Sequence, residues 1–416
     1  MVIIKRKLLS LVYDHLQSKE ITLITGPRQV GKTTLMNLVK EDLIKKGERT
    51  LFLDLDRDLD RPFFDSQSRL IQRIKYEIGK EKGYVFIDEI QRKENAGLFL
   101  KGIYDMDLPY KFIVSGSGSL ELKEKIHESL AGRKRAFELS TLSFEEFVDL
   151  KTNYKYSNET FFDLYKDTAF QYFEEYLNFG GYPRIVLETE ISKKQAAMEE
   201  LYKSYLEKDI SVLLNIQKTE SLTSLVRILA SQVGRQVNIS ELSNTLGLAA
   251  QTIKNYMWYL EKTFIIQRVT PYFRNVRKEI TKASTYYFVD LGLKNYVTNQ
   301  FGSGLGVPTI GFLFENFVYK SLKEKIYLSP TTIHFWRSKD KAEVDFVVDT
   351  AQEIIPVEVK YTDLKSVETT RSFKSFLSKY KPKRAYVVHF GENFEDSFEK
   401  TKIYFIPFFK CGVIIG

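Results

Sequence analysis

One loop restricts this chain more than any other feature. Gly26-Pro27-Arg28-Gln29-Val30-Gly31-Lys32-Thr33 spells G-x-x-x-x-G-K-[ST] without a mismatch. It stands between a short apolar run, Ile21–Thr25, and an amphipathic stretch from about Thr33 to Lys46 that closes at Gly47. A buried strand, a glycine-rich turn and a helix in that order is the setting in which such a loop wraps phosphate. The glycines let backbone N–H groups converge on phosphate oxygens, and the helix N-terminus adds partial positive charge. Lys32 can reach the outer phosphates, and the Thr33 hydroxyl can ligate Mg²⁺, with Thr34 next in the same cradle.

Further apolar runs follow at Thr50–Leu55, Tyr84–Ile87 and Phe112–Ser115, separated by helical stretches. That alternation predicts an α/β fold with a parallel sheet covered on both faces. The third strand runs into Asp88-Glu89. In this context Asp88 would hold Mg²⁺, directly or through water, and Glu89 would polarise the attacking water. The fourth ends in hydroxyls, and it is expected beside the strand carrying Asp88. Ser115 or Ser117 could bond a γ-phosphate or water; Ser119 follows. Arg133, in Leu130-Ala131-Gly132-Arg133 with Lys134 and Arg135 adjacent, could stabilise transition-state charge either in its own site or at a subunit interface.

Downstream, the pattern is mostly helical from about Ser143 to Ile216, broken at Gly180-Gly181-Tyr182-Pro183. Asn238-Ile239-Ser240-Glu241 fits a capping box opening a short helix. Gly247 turns the chain into a second helix, Ala249–Glu261, with Ile253, Tyr256, Met257 and Leu260 at helical spacing. This reads as a helix-turn-helix. Phe264–Val269 and Ala283–Asp290 would be wing strands, with Arg274, Arg277, Lys278 and Lys282 between them. Gln251, Thr252, Lys254 and Asn255 could face a DNA groove, whereas Tyr256, Trp258 and Tyr259 read as packing. Near the end, an apolar helix contains Glu315. Strands Glu343–Val348 and Ile354–Tyr361 carry Asp345, Glu358 and Lys360, and alternation puts Glu358 and Lys360 on one face. Two such carboxylates could hold Mg²⁺ while Lys360 activates water or steadies phosphorane-like charge.

Together, the Gly26–Thr33 loop, Asp88-Glu89, the Ser115–Ser119 segment and Leu130–Phe147 resemble AAA+ ATPases of an archaeal and bacterial family, near the STAND-type signalling ATPases, that carries a carboxy-terminal domain of unknown function. Leu139-Ser140-Thr141-Leu142-Ser143-Phe144-Glu145-Glu146-Phe147 is similar to that family's Leu-x-Pro-Leu-Ser-Phe-x-Glu-Phe signature, with Thr141 where proline is usual. Gly180-Gly181-Tyr182-Pro183 resembles its Gly-Gly-Tyr/Phe-Pro motif, with Arg184 where an acid is common. The carboxy-terminal Asp345, Glu358 and Lys360 resemble the PD-(D/E)xK nuclease motif, and Glu315 matches the helix acid of some members. The resemblance implies ATP and Mg²⁺ as cofactors. It also implies four units: a P-loop AAA+ ATPase domain (1–150), a helical lid (151–220), a winged-helix-like domain (221–305) and a restriction-endonuclease-like α/β domain (306–416).

Charge points the same way. Of a net +8, residues 216–305 contribute 11 basic against 5 acidic side chains, residues 306–416 contribute 17 against 14, and the first 215 are nearly balanced. A basic surplus confined to the second half suggests a polyanion partner, DNA or RNA. Hydrophobic residues at 43% exclude wholesale disorder. No apolar run is long enough to span a membrane and the start lacks a signal-peptide pattern, so a cytoplasmic protein is expected. One cysteine and four histidines exclude an internal disulfide and a usual zinc site. A homo-oligomer stays open. So do three functions: an ATPase switching a nuclease-like region, a nucleotide-gated binding or signalling switch without nuclease activity, and an ATP-regulated endonuclease.

Overall fold

Residues 3–117, 130–205, 219–273, 275, 279, 282–304, 306 and 310–415 are described in the computed structural model. The first half is a five-stranded parallel sheet: β1 (Ile21–Gly26), β2 (Thr50–Asp54), β3 (Gly83–Asp88), β4 (Tyr110–Ser117) and β5 (Lys134–Glu138), in the order β2-β3-β4-β1-β5. Both β1 and β3 are buried along their whole length, as parallel strands with helices on both faces should be. Side-chain alternation sorts the faces. Ile24, Phe86, Ile113 and Phe137 point toward α1 (Leu8–Asp14) and α2 (Lys32–Lys45). Leu23, Val85, Ile87 and Val114 point toward α3 (Gln67–Ile78) and α4 (Ala96–Asp105).

The Lys134–Arg135 pair, legible in the sequence only as a basic cluster, belongs to the edge strand β5. Only Phe137 of that strand is buried. Charge on an edge strand deters pairing with other chains and hides the strand from a hydrophobicity reading.

A helical layer follows: α5 (Phe144–Lys151), α6 (Asn158–Leu164), α7 (Lys166–Phe179), α8 (Pro183–Leu187) and α9 (Ile191–Tyr202). A full capping box, Ser143 with Glu146, starts α5. Next come α10 (Thr219–Ser231), α11 (Ile239–Leu246) and α12 (Ala250–Lys262). The side chain of Asn238 accepts from the Ser240 and Glu241 N–H groups, and Gly247 closes α11 at φ 63°. Strands β6 (Ile266–Val269) and β7 (Thr285–Phe288) pair antiparallel. Helices α13 (Leu291–Val297) and α14 (Ile310–Lys325) lead into a mixed sheet of order β12-β13-β11-β10-β9-β8. Its strands are β8 (Thr332–Arg337), β9 (Glu343–Asp349), β10 (Ile354–Val359), β11 (Arg384–His389), β12 (Phe394–Phe398) and β13 (Thr401–Pro407), with α15 (Arg371–Tyr380) against one face.

The expected units share one apolar core that runs from Ile4 to Ile414. Phe408, near the chain end, packs on Phe173 of α7 at 4.0 Å between ring centroids, and Phe144 meets Phe317 of α14 at 5.5 Å. The chain after β6 also joins the second sheet, since Tyr272 N–H donates to the Phe335 carbonyl at 2.6 Å.

The Gly180-Gly181-Tyr182-Pro183 motif is a close-approach joint. A Cβ on Gly181 would collide with the Leu142 backbone, and the Gly181 N–H donates to Asp290 Oδ2 at 2.8 Å. Asp290 caps α13 through the Leu293 N–H and is fully buried, which pushes its carboxyl up. We expect Gly181→Ala to destabilise the protein by about 2–3 kcal/mol, the scale of overpacking a tight site. An unchanged melting temperature would show that this approach can relax.

Candidate nucleotide site and the carboxy-terminal acid cluster

The phosphate loop leaves β1 at Gly26, whose φ is 149° and whose Cα faces the Leu139 carbonyl so closely that no Cβ fits. Leu139 N–H donates back to the Thr25 carbonyl at 2.8 Å, which continues the β5–β1 ladder past the loop. Gln29 and Gly31 are also at positive φ, and α2 begins at Lys32. Lys32 is 6% exposed. Its Nζ donates to the carbonyls of Gly26 at 3.1 Å and Pro27 at 2.7 Å. Burial pulls its ammonium down to about 8, against the opposing pull of Glu89 and Asp88. Arg28 is half-buried beside the loop and Thr34 half-buried in the first turn of α2.

Strand order brings the second half of the site in from β3 and β4. Thr33 Oγ1 donates to Asp88 Oδ2 at 2.5 Å, and Ser115 Oγ donates to Asp88 Oδ1. The Glu89 N–H donates to Asp88 Oδ1 at 3.1 Å. Because β4 lies between β1 and β3, Ser115 stands between loop and acid, as expected for that strand. Glu89 holds a left-handed backbone, φ 53° and ψ 41°, uncommon for a residue with a Cβ and a mark of a constrained site. Burial raises its carboxyl, and Gln91 Nε2 donates to it. The donor set fits a magnesium nucleotide: a tightly turned loop opening a helix, a buried ammonium, and a hydroxyl and carboxylate close enough to face one cation. Ser119 and the Ser117 side chain lie outside the described residues.

Arg133 does not join this site. It precedes β5, its carbonyl accepts from the Ile21 N–H at 2.9 Å, and its guanidinium pairs with Asp105 at 2.7 Å. Ile21 begins β1 while the loop follows the other end, so the two lie roughly 17 Å apart at ~3.3 Å per residue. The expectation that Arg133 could serve its own chain's nucleotide is therefore corrected; parallel register puts it at the amino-terminal end of the strands, away from the loop.

Arg6 was not singled out by the sequence reading, yet it touches the loop. Its Nη1 donates to the Val30 carbonyl at 2.9 Å, its Nη2 to the Ser140 carbonyl at 2.7 Å, and its Nε pairs with Glu146 at 3.2 Å. The neighbouring Lys7 pairs with Glu145, which also pairs with Lys325 at the end of α14 at 2.9 Å. A cavity of about 570 Å³ lies here, lined by Arg6, Glu138, Ser140, Lys320 and Lys325 among others. A lone arginine far upstream of a motif carries no local signal; only the fold brings it in.

The carboxy-terminal residues do gather. Strand β9 pairs antiparallel with β10, and Asp345 Oδ2 accepts the Val359 N–H at 2.7 Å. Lys360 Nζ donates to Glu358 Oε1 at 2.9 Å, and Thr370 Oγ1 donates to the same oxygen at 3.1 Å. Glu358 Oε2 is buried without a hydrogen-bond partner. Burial, then Glu358, raises Asp345 to about 8, and burial, then Asp345, raises Glu315 well above the usual range. Glu315 accepts from Tyr287 OH at 2.5 Å. Burial would lower Lys360, but Glu358 and Asp345 together raise it. Among the described residues, however, no three acids or histidines stand close enough to hold a metal ion. Lys360 and Thr370 hold Glu358 Oε1 and the Val359 N–H holds Asp345 Oδ2, which leaves Glu358 Oε2 as the buried oxygen open to a cation.

On α12, Gln251, Lys254 and Asn255 are exposed and Thr252 half-buried, while Ile253, Met257 and Leu260 face inward. Lys282 is exposed; Arg274, Arg277 and Lys278 lie outside the described residues. Among the described residues no helix is long and apolar enough to cross a membrane.

Comparison with known proteins accords with the first half. Residues 18–148 match the model of an AAA domain, residues 170–304 a domain of unknown function (DUF8612), and residues 310–409 a second domain of unknown function (DUF4143). An uncharacterized protein of Haemophilus influenzae is 26% identical over 87% of both chains. One of Mycobacterium tuberculosis is 26% identical over 94% of this chain and 81% of its own. Among solved structures, the Aeropyrum pernix Orc1 protein in complex with DNA superposes with a TM-score of 0.32 at 12% identity, covering 73% of this chain and 94% of that one. Sheet, loop and family match agree on a P-loop NTPase fold for the first half, and residues 18–148 are similar to the AAA domain model.

Proposed function

We propose that this protein is an Mg²⁺-dependent ATPase of AAA+/STAND type whose nucleotide state controls its winged-helix-like and nuclease-like regions, with DNA as the partner. The observation that carries the ATPase reading is the Thr33–Asp88–Ser115 hydrogen-bonded set at the mouth of a loop holding a buried lysine. In the mechanism, loop amides and Lys32 bind the phosphates, and Thr33 and Asp88 would hold Mg²⁺, which neutralises phosphate charge when bound. Glu89 orients and deprotonates water, and burial raises its affinity for protons above that of an ordinary carboxylate. Ser115 fixes the Asp88 carboxylate. Any arginine acting on the γ-phosphate must come from elsewhere than this chain's Arg133, for which a second copy is the natural source. The defining experiment is ATP turnover by the purified chain with Mg²⁺ and with chelator. Turnover insensitive to chelator refutes the metal assignment.

A second reading, a nucleotide-gated binding switch without nuclease activity, is favoured by the Lys360 ammonium that already pairs with Glu358 Oε1 inside the acid cluster. Branched and linear DNA incubated with Mg²⁺, with and without ATP, separates the two. Cleavage abolished by Asp345→Ala and by Lys360→Ala supports the endonuclease. Because Asp345 holds its proton up to about 8, such cleavage is expected to rise with pH toward that value. Binding without cleavage selects the switch. Salt-insensitive binding would count against phosphate contacts by the basic second half.

A further inference from the structure

A cavity of about 640 Å³ lies away from both sites, between α10, the end of α11, α13 and α14. Its size is that of a small-molecule pocket. Ser224, Arg227, Ile228 and Ser231 line it from one face of α10, at the i, i+3, i+4, i+7 spacing of a single helical stripe. Lys294 and Gln300 face them, and Leu246 and Phe312 supply apolar wall. Among the described residues its two charged lining residues are both cations, Arg227 and Lys294, with no acid.

Lys294 is the telling residue. It is 3% exposed, and its Nζ donates to the side-chain oxygen of Gln300 at 3.0 Å. Burial alone lowers its ammonium to about 8, and no carboxylate counters that pull. A buried ammonium without a counter-charge is costly, and proteins normally pair it. Two other buried lysines are ion-paired, Lys194 with Glu175 at 3.0 Å and Lys320 with Glu324 at 2.6 Å, whereas Lys32 and Lys111 donate to backbone carbonyls. Arg227 is exposed at the rim, where a guanidinium can take a second oxygen of an incoming anion.

We infer that this cavity binds a small organic phosphate, its phosphate between Lys294 and Arg227 and its apolar body against Ile228, Leu246 and Phe312. A dianion matches two cations, and the apolar wall favours an organic ester over the free ion. Phe312 lies on α14 one turn before Glu315, so such a ligand would touch the helix that enters the carboxy-terminal acid cluster.

The test uses the full chain carrying Lys32→Ala, so that the phosphate loop cannot be the receptor. Phenyl phosphate and inorganic phosphate are the probes, with binding followed by titration calorimetry. Saturable binding of phenyl phosphate is expected, tighter than inorganic phosphate and lost by about tenfold or more in Arg227→Gln and in Lys294→Met, as for removal of one charge-assisted contact. Arg227 is exposed, so Arg227→Gln keeps the fold and decides the matter even if Lys294→Met does not. Absence of saturable binding, or equal affinity in Arg227→Gln, overturns the inference. Both results are independent of whether the chain hydrolyses ATP.

Discussion

Replacing Lys32 with alanine is expected to weaken ATP binding by about a hundredfold or more. Its ammonium is buried within the loop and bonded only to the Gly26 and Pro27 carbonyls, contacts that an arriving triphosphate would replace with charged oxygens. A hydrogen bond to a charged group contributes about 1.5–3 kcal/mol, so two phosphate contacts account for that loss. Glu89→Gln should behave in the opposite sense. The amide keeps the volume of the side chain but cannot accept the proton of water. Binding should survive while turnover falls by about 10²- to 10⁴-fold, the usual contribution of a positioned base. A fluorescent ATP analogue reports the first quantity and steady-state phosphate release the second. Unchanged hydrolysis in both variants would sink the assignment of this site.

Arg6→Ala should have the largest effect on stability. The Arg6–Glu146 pair is 8% and 6% exposed in its side chains. Removing one partner leaves a buried carboxylate that has lost its counter-charge, and such losses run to about 3–5 kcal/mol. Glu146 also keeps the Ser143 and Lys7 N–H groups, which should hold the penalty near the lower figure. The same change frees the Val30 carbonyl, so ATP affinity should drop along with the melting temperature. Its pH dependence is specific. Burial would raise the Glu146 carboxyl, yet Arg6 and the backbone donors hold it below its ordinary 4.5. A depressed folded value stabilises the protein above 4.5, and that stability is lost as pH falls through the folded value. The gap in melting temperature between the wild type and Arg6→Ala should therefore be full at neutral pH and shrink below pH 4.5. A gap that stays constant into acid would mean that packing by the arginine stem, and not the ion pair, sets the effect.

Much of the nucleotide site was legible because its parts are local. A loop that must turn tightly needs glycine, a phosphate needs amides and a lysine, and an acid at a strand end declares itself by ending an apolar run. Asp88, Glu89 and Ser115 could be placed with the loop because βα alternation leaves few sheets for them to build. Helix α11 was legible for a similar local reason, from Asn238 and Gly247 at its ends. The carboxy-terminal acids were found by strand alternation, and they do come together. Their hydrogen bonds were beyond reach, since the pairing of Lys360 with Glu358 depends on side-chain positions that spacing does not specify.

By itself, then, the sequence determined the local chemistry: which residues turn, which cap, which strands are buried on both faces, and which short runs could bind phosphate. Tertiary structure alone decided who meets whom across distance. Strand register carried Arg133 to the opposite end of the strands from the loop. Chain wrapping brought Arg6 under Val30, closed Gly181 onto Leu142 and Asp290, and set Phe408 among the aromatic rings of α7 and α14. It also enclosed Lys294 without an acid beside it among the described residues. The physical reason is common to all of these. Hydrogen bonding and backbone sterics act between near neighbours and leave a mark in the sequence. Burial and charge pairing act between surfaces that become neighbours only after folding.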